Sequence, residues 1–355
     1  MTPSPRQPPK RQVSCFVALV SLGFLSSVPV VGSVAGSVAS ANLAPSWCKG
    51  GGPLDAQSLP SSVSLGECDL RSRVIQGLHG VRVEVPPRGS DVVAVTGHAL
   101  QTNGGSTLTV RVTPNQRTVS IDQQSLGYVD GRPQNSSAPQ DACRDTSYSA
   151  GLSSWKKGST IDWKFSKRQD INGVPDEESV VSDAVTRAVT ASTDCTTKKY
   201  FEPLPNIRER FAGTTTAAPN INAGACSKRD GTNAIGWTRM ADVESGTLAL
   251  SCIWQTWRNI VEGDIALQSH GKDWWVSGNS DAADSDALSA CPAGSFNATS
   301  AVVHEMLHVL GLKHVRGKKH SNLTMAPTMK PCDEGPATLG LGDYRGLMAL
   351  YGART

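Results

Sequence analysis

The stretch "HEMLHVLGLKH" runs from His304 to His314 and puts three histidines in eleven residues, with Glu305 beside the first and Gly311 between the second and third. Met306, Leu307, Val309 and Leu310 are helix formers or apolar core residues, and Ala301-Val302-Val303 leads in. On a helix, His304 and His308 lie one turn apart, about 40° apart around the axis, so both imidazoles reach one ion from the same face. Gly311 tolerates the left-handed conformation of a sharp turn and ends the helix. The turn lets His314 swing back as a third ligand. Three neutral nitrogens on Zn²⁺ leave a fourth position for water, the pattern of a catalytic rather than a closed structural site. The metal lowers the pKa of that water to about 7. Glu305 is placed to take its proton and pass it to a leaving amine. The competing reading is of solvated or core histidines. H-E-x-x-H alone arises by chance in long chains, but the extended H-E-x-x-H-x-x-G-x-x-H is far more specific.

On these residues the chain resembles the metzincin zinc endopeptidases, which also carry a methionine-bearing turn under the metal. "NLTMAPTM" follows the third histidine, and Met325 with Pro327 resembles the M-x-P turn of matrixins, the matrix-metalloproteinase-like branch; Met329 is the rival. The gap from His314 to Met325 is longer than the resemblance implies, and "VRGKKHSNLT" reads as an inserted loop. "LGDYRGLMALYG" resembles the last matrixin helix, with Leu347, Leu350 and Tyr351 at helical spacing.

Upstream the likeness is one of order. "STIDWKFSK" (Ser159–Lys167) alternates as a strand. "PDEESVVSDAVTRAVTAS" reads as a helix, with Pro175 and acids at its start and an apolar stripe of Val181, Ala184, Val185, Ala188 and Val189. After a loop come three strands, "NAIGW" (Asn233–Trp237), "TLALSCIW" (Thr247–Trp254) and "NIVEGDIAL" (Asn259–Leu267). The resemblance implies an α+β, metzincin-type domain over residues 141–355: a twisted mixed sheet, the active-site helix, the Met-turn and a C-terminal helix. It also implies that Thr247–Trp254 is a free sheet edge, where the backbone of Leu248, Ala249 and Leu250 pairs with an extended peptide. An ordinary interior strand is the alternative.

Residues 42–140 read as a separate small β-rich domain. "GVRVEV", "DVVAV", "TLTVRV" and "RTVSI" are short strands, "TNGGS" marks a hairpin, and "DGRPQNSSAPQD" (Asp130–Asp141) reads as a linker. Its position suggests a propeptide; an accessory binding module is the other option. Matrixin propeptides hold a cysteine thiolate on the zinc in a PRCGxPD motif. Only Cys143 stands near the right place, and the motif is not matched.

The first 41 residues look like a signal peptide. Arg6, Lys10 and Arg11 precede a mostly apolar run from Val13 to Val31, and Ala39–Ala41 fits an A-x-A cleavage site. An uncleaved anchor is the alternative. Nine cysteines fall to eight once Cys15 leaves, an even number suited to four disulfides in an oxidising compartment. Local pairing suggests Cys48–Cys68, Cys143–Cys195, Cys226–Cys252 and Cys291–Cys332. A formal net charge of +3 implies no nucleic acid or other strongly charged partner. The cluster Arg316–His320 reads as a solvated loop.

Other chemistry is sparse. Asp281, Asp284 and Asp286 offer oxygens for Ca²⁺, but no EF-hand spacing is present and a polar surface loop is the simpler reading. His270 stands alone. Asn135, Asn297 and Asn322 head N-x-S/T sequons. The expected function is a secreted zinc endopeptidase acting on protein or peptide, with no stable membrane association once the signal is removed. The alternative is a non-catalytic secreted adhesion protein on the same scaffold, which would be free to lose Glu305 or a ligand; all are present.

Overall fold

The histidine-bearing helix is seated by its two ends. The computed structural model of the chain describes residues 44–127, 140–168, 171, 173–277 and 291–355. Three α-helices carry the architecture: α1 (Glu177–Val189), α2 (Ala298–Val309) and α3 (Leu341–Tyr351). Asn297 caps α2 by accepting the backbone N–H of Ser300 at 2.8 Å. At the other end, Trp155 Nε1–H donates to Val309 O at 2.9 Å and the Tyr351 hydroxyl donates to Leu310 O at 2.7 Å. Two carbonyls that a helix terminus leaves unpaired are thereby satisfied. Gly311 follows with φ of 98°, and the chain turns back.

Helices α1 and α2 lie on a nine-stranded mixed sheet. Its strands, in chain order, are β1 (Ser62–Ser64), β2 (Ala94–Gln101), β3 (Gly104–Val112), β4 (Thr118–Gly127), β5 (Thr160–Ser166), β6 (Arg208–Thr215), β7 (Asn233–Thr238), β8 (Thr247–Gln255) and β9 (Ile260–Gln268). Across the sheet they run β6-β5-β7-β9-β8-β2-β3-β4-β1. The first four of this spatial order pair in parallel; from β9 onward every pairing is antiparallel. The five expected apolar positions of α1 are all buried. They join Trp163, Trp237, Val302 and Leu347 in one core on the helical face. The opposite face packs against a small five-stranded sheet, and its core mixes Val83, Val95 and Leu108 with Cys226, Cys252 and Trp254.

This is an α+β arrangement with a twisted mixed sheet, flanking helices and a closing C-terminal helix. Three expectations need correction. First, β8 is not a free edge. On one side Ala249 pairs with Leu267 of β9; on the other, Ala249 and Leu250 pair with Leu100 and Ala99 of β2. The backbone of Leu248, Ala249 and Leu250 therefore lies inside the sheet, because a strand from the N-terminal region has added itself there. Second, the residues read as one loop after α1 contain β6, whose mostly exposed side chains conceal it. Third, Arg316–His320 is not merely solvated: His320 is buried and its Nδ1 meets Asp145 Oδ2 at 2.6 Å, while Arg316 donates to Gln124 Oε1 at 2.9 Å.

All four suggested disulfides are formed. Cys143 is bonded to Cys195, so it has no thiolate to offer a metal. Asn297 is fully buried, so its sequon is shielded in the folded protein. The signal segment, Asn135, nearly all of the suggested linker and the three aspartates of the suggested Ca²⁺ loop lie outside the described residues. Among the described residues, no helix is long and apolar enough to cross a membrane.

Candidate metal centre

Local structure dictates where each imidazole points. His304 and His308 project from the same face of α2. His304 Nδ1 lies 2.6 Å from Thr324 O, and His308 Nδ1 lies 2.9 Å from Leu312 O. A carbonyl only accepts, so each Nδ1 carries the proton and each Nε2 presents a bare lone pair. His314 is brought back by the turn at Gly311 and by a short pairing of Leu312–Lys313 with Ser149–Ala150. Its Nε2 lies 3.1 Å from His304 Nε2 and 3.1 Å from His308 Nε2.

A fourth imidazole joins them from outside the motif. His98, on β2, stacks on His308 with ring centroids 4.0 Å apart and planes 10° apart. His98, His308 and His314 each bring a nitrogen within 4.8 Å of the others. His98 Nδ1 lies 3.0 Å from Thr107 Oγ1, directly across the β2–β3 hairpin. His304 and His98 thus flank the same pair, His308 and His314.

The electrostatics suit a cation. All four rings are buried. Burial lowers the pKa of His304 to about 4 and of His98 to about 3. It holds His308 and His314 well below the usual range, with neighbouring imidazoles adding to the effect. The rings are neutral at pH 7, and neutral nitrogens facing one another at these distances repel unless a cation or a shared proton lies between them. Among the described residues, His314 Nδ1 has no hydrogen-bond partner, and neither oxygen of Glu305 has one. Glu305 is fully buried, and burial raises its pKa to about 8, with polar groups at Ser251 and Leu100 pulling the other way. A buried carboxyl without a partner, like converging lone pairs, is costly to fold around, and the converging nitrogens fit a site built for a metal.

The segment after the third histidine is tied down. Met325 and Met329 are both buried in the helical-face core. Val315 N–H donates to Met325 O at 2.9 Å, which links the third histidine's strand to the turn. A cavity of about 320 Å³ opens beside His98 and His308, between Arg111 and Asp122 on one wall and Leu152 and Lys313 on another. His270 takes no part in the cluster.

The structure brings His304, His308 and His314 of the motif together and adds His98, which the sequence does not single out. The available signal was a lone histidine in an apolar strand, next to the "TNGG" turn that pairs it with Thr107.

The matrixin family profile matches residues 154–352. No curated protein and no solved structure gives a significant match to the chain.

Proposed function

Since the chain belongs to the matrixin family, we propose that it is a zinc-dependent endopeptidase whose metal is held by Nε2 of His304, His308 and His314. The observation that carries this is the approach of His314 Nε2 to within 3.1 Å of both His304 Nε2 and His308 Nε2, with the buried, unpartnered Glu305 next to His304 on α2. Tetrahedral zinc with nitrogen bonds of about 2.0–2.1 Å places its ligand atoms roughly this far apart.

Zinc bound here supplies Lewis acidity to the scissile carbonyl and to the attacking water. The chain's own residues do the rest. Thr324 and Leu312 carbonyls fix the tautomer and tilt of His304 and His308. Glu305 takes a proton from the attacking water and delivers it to the leaving amine nitrogen. Met325 forms the apolar floor that keeps three imidazoles in one geometry. The four disulfides, and the apolar run at residues 13–31 followed by Ala39–Ala41, support export to an oxidising compartment.

The test is metal analysis together with casein hydrolysis, before and after cleavage at a site-specific protease sequence placed between residues 127 and 140. One zinc per chain is expected, with hydrolysis in at least one form that both a zinc chelator and Glu305→Ala abolish. Hydrolysis indifferent to Glu305→Ala overturns the proposal. The non-catalytic binding role draws on one observation, the lack of a free edge at β8. It predicts zinc without hydrolysis in either form.

A further inference from the structure

We infer that the N-terminal region is a built-in inhibitor that uses His98 as a fourth metal ligand, while its strand β2 occupies the place of a peptide substrate. The inference rests on the metal site proposed above, and concerns what closes it.

Four observations carry it. The first is His98 itself. Thr107 Oγ1 lies 3.0 Å from its Nδ1 and occupies that nitrogen, which leaves Nε2 as the one to face the metal when the hydroxyl accepts. Its ring is buried, and one of its nitrogens lies within 4.8 Å of those of His308 and His314. The second is register. His98 pairs with Ser251 of β8, and Ser251 neighbours Glu305. The histidine therefore pairs with a residue that borders the proposed catalytic carboxyl. The third is the fit of the hairpin. A Cβ at Gly105 would lie 2.9 Å from His314 Cε1 and 2.9 Å from Pro327 O, so the glycine is what lets β3 approach the third histidine. Met329 N–H donates to Gln101 O at 3.0 Å, and the strand is held from the Met-turn side as well.

The fourth observation is covalent. Cys48–Cys68 closes within the N-terminal region, and the other three disulfides close within residues 143–332. None joins the two. A single backbone cut between residues 127 and 140 leaves no covalent tie, and the inhibitor is then held by strand pairing, apolar contact and side-chain pairs such as Asp91–Arg229 and Arg82–Asp242. Its departure would free the backbone of Leu248, Ala249 and Leu250 for an extended peptide, and the fourth metal position for water.

The test uses the full chain, stripped of metal, reloaded with Co²⁺ and titrated with azide while the visible spectrum is read. In the intact wild type azide should leave the spectrum unchanged, because no position is open. In His98→Ala it should shift the bands. Cleavage between residues 127 and 140 should confer the same azide shift on wild type and raise casein hydrolysis from background. An azide shift in intact wild type equal to that of His98→Ala overturns the inference. So does an intact chain, verified by mass, that hydrolyses casein as fast as the cleaved one. If His98→Ala does not fold, intact against cleaved wild type decides alone. A chain that takes up neither Zn²⁺ nor Co²⁺ sinks the metal reading beneath it, whereas an azide-sensitive intact chain sinks only the inhibitor.

Discussion

Asp343, in the first turn of α3, reaches across to the Met-turn: its Oδ2 accepts the backbone N–H of Thr324 at 2.9 Å. Its other oxygen accepts the N–H of Met325 at 3.2 Å. The carbonyl of the same Thr324 holds His304 Nδ1. The last helix thus orients the first histidine through one buried carboxyl and one backbone residue.

Removing that carboxyl strands two buried N–H groups and a third on Gly340. Asp343→Ala should cost about 3 kcal/mol or more, since hydrogen bonds to charged groups and orphaned donors each count for roughly 1–3 kcal/mol. Zinc should also be held about 10–100-fold less tightly, the usual penalty for losing an outer support of a ligand. Denaturant midpoints and competition with a chromogenic chelator check the two effects separately. Unchanged zinc affinity would break the proposed link from α3 to His304.

Glu305→Ala should leave zinc bound and abolish most hydrolysis, a loss of about 10²–10⁴-fold for a missing proton shuttle. It should not lower the melting temperature. The carboxyl is buried without a hydrogen-bond partner, so deleting it removes a desolvation penalty. Calorimetry of the zinc-loaded variant tests this; a large fall in Tm would mean that Glu305 is a structural residue.

Met325→Leu should be mild, under about 1.5 kcal/mol, because volume and polarity are nearly kept. Met325→Lys at a position only 1 % exposed should weaken both folding and zinc retention. Thermal unfolding with and without a chelator separates the two. Equal zinc retention in both variants would shift the role of floor to Met329.

The pair of Asp145 and His320 predicts an acid-side effect. Burial acts to raise the pKa of Asp145, but the hydrogen bonds from His320 and Ser147 outweigh it and the net shift is downward. A depressed carboxylate contributes stability above its unfolded pKa of about 3.9, and that contribution is lost as pH falls through the folded value. Asp145→Asn should therefore be less stable than wild type at pH 7, and the gap should narrow steadily below pH ~4. Urea midpoints across that range measure it. A gap that stays constant would assign the pair a purely geometric role.

What sequence could disclose follows the span of each interaction. The three histidines and Glu305 fall within one helix and one turn, so their spacing carried the geometry. The disulfides were legible because each pairs cysteines close in sequence, the widest separation being 52 residues. Strand β6 escaped because an outer strand with exposed side chains has no alternation to read. The union of β2 with β8 escaped for a different reason. Gln101 and Thr247, whose side chains meet at its end, are 146 residues apart, and neither sequence segment names the other. His98 was lost with it: a histidine becomes a ligand only when its strand has a place.

That same distance governs how the molecule must be made. Strand β2 sits mid-sheet, with β3 on one side and β8 on the other. During synthesis the hairpin of β2 and β3 emerges well before β8 exists, and one edge of β2 stays unsatisfied until then. Exposed edges of this kind recruit other chains, and sheets closed by distant pairings form slowly. The nascent protein therefore passes through a stage in which its β2–β3 hairpin is folded enough to pair and has nothing of its own to pair with. Burial of His98 comes last, reached only after β8 has been delivered and the sheet around it has been assembled.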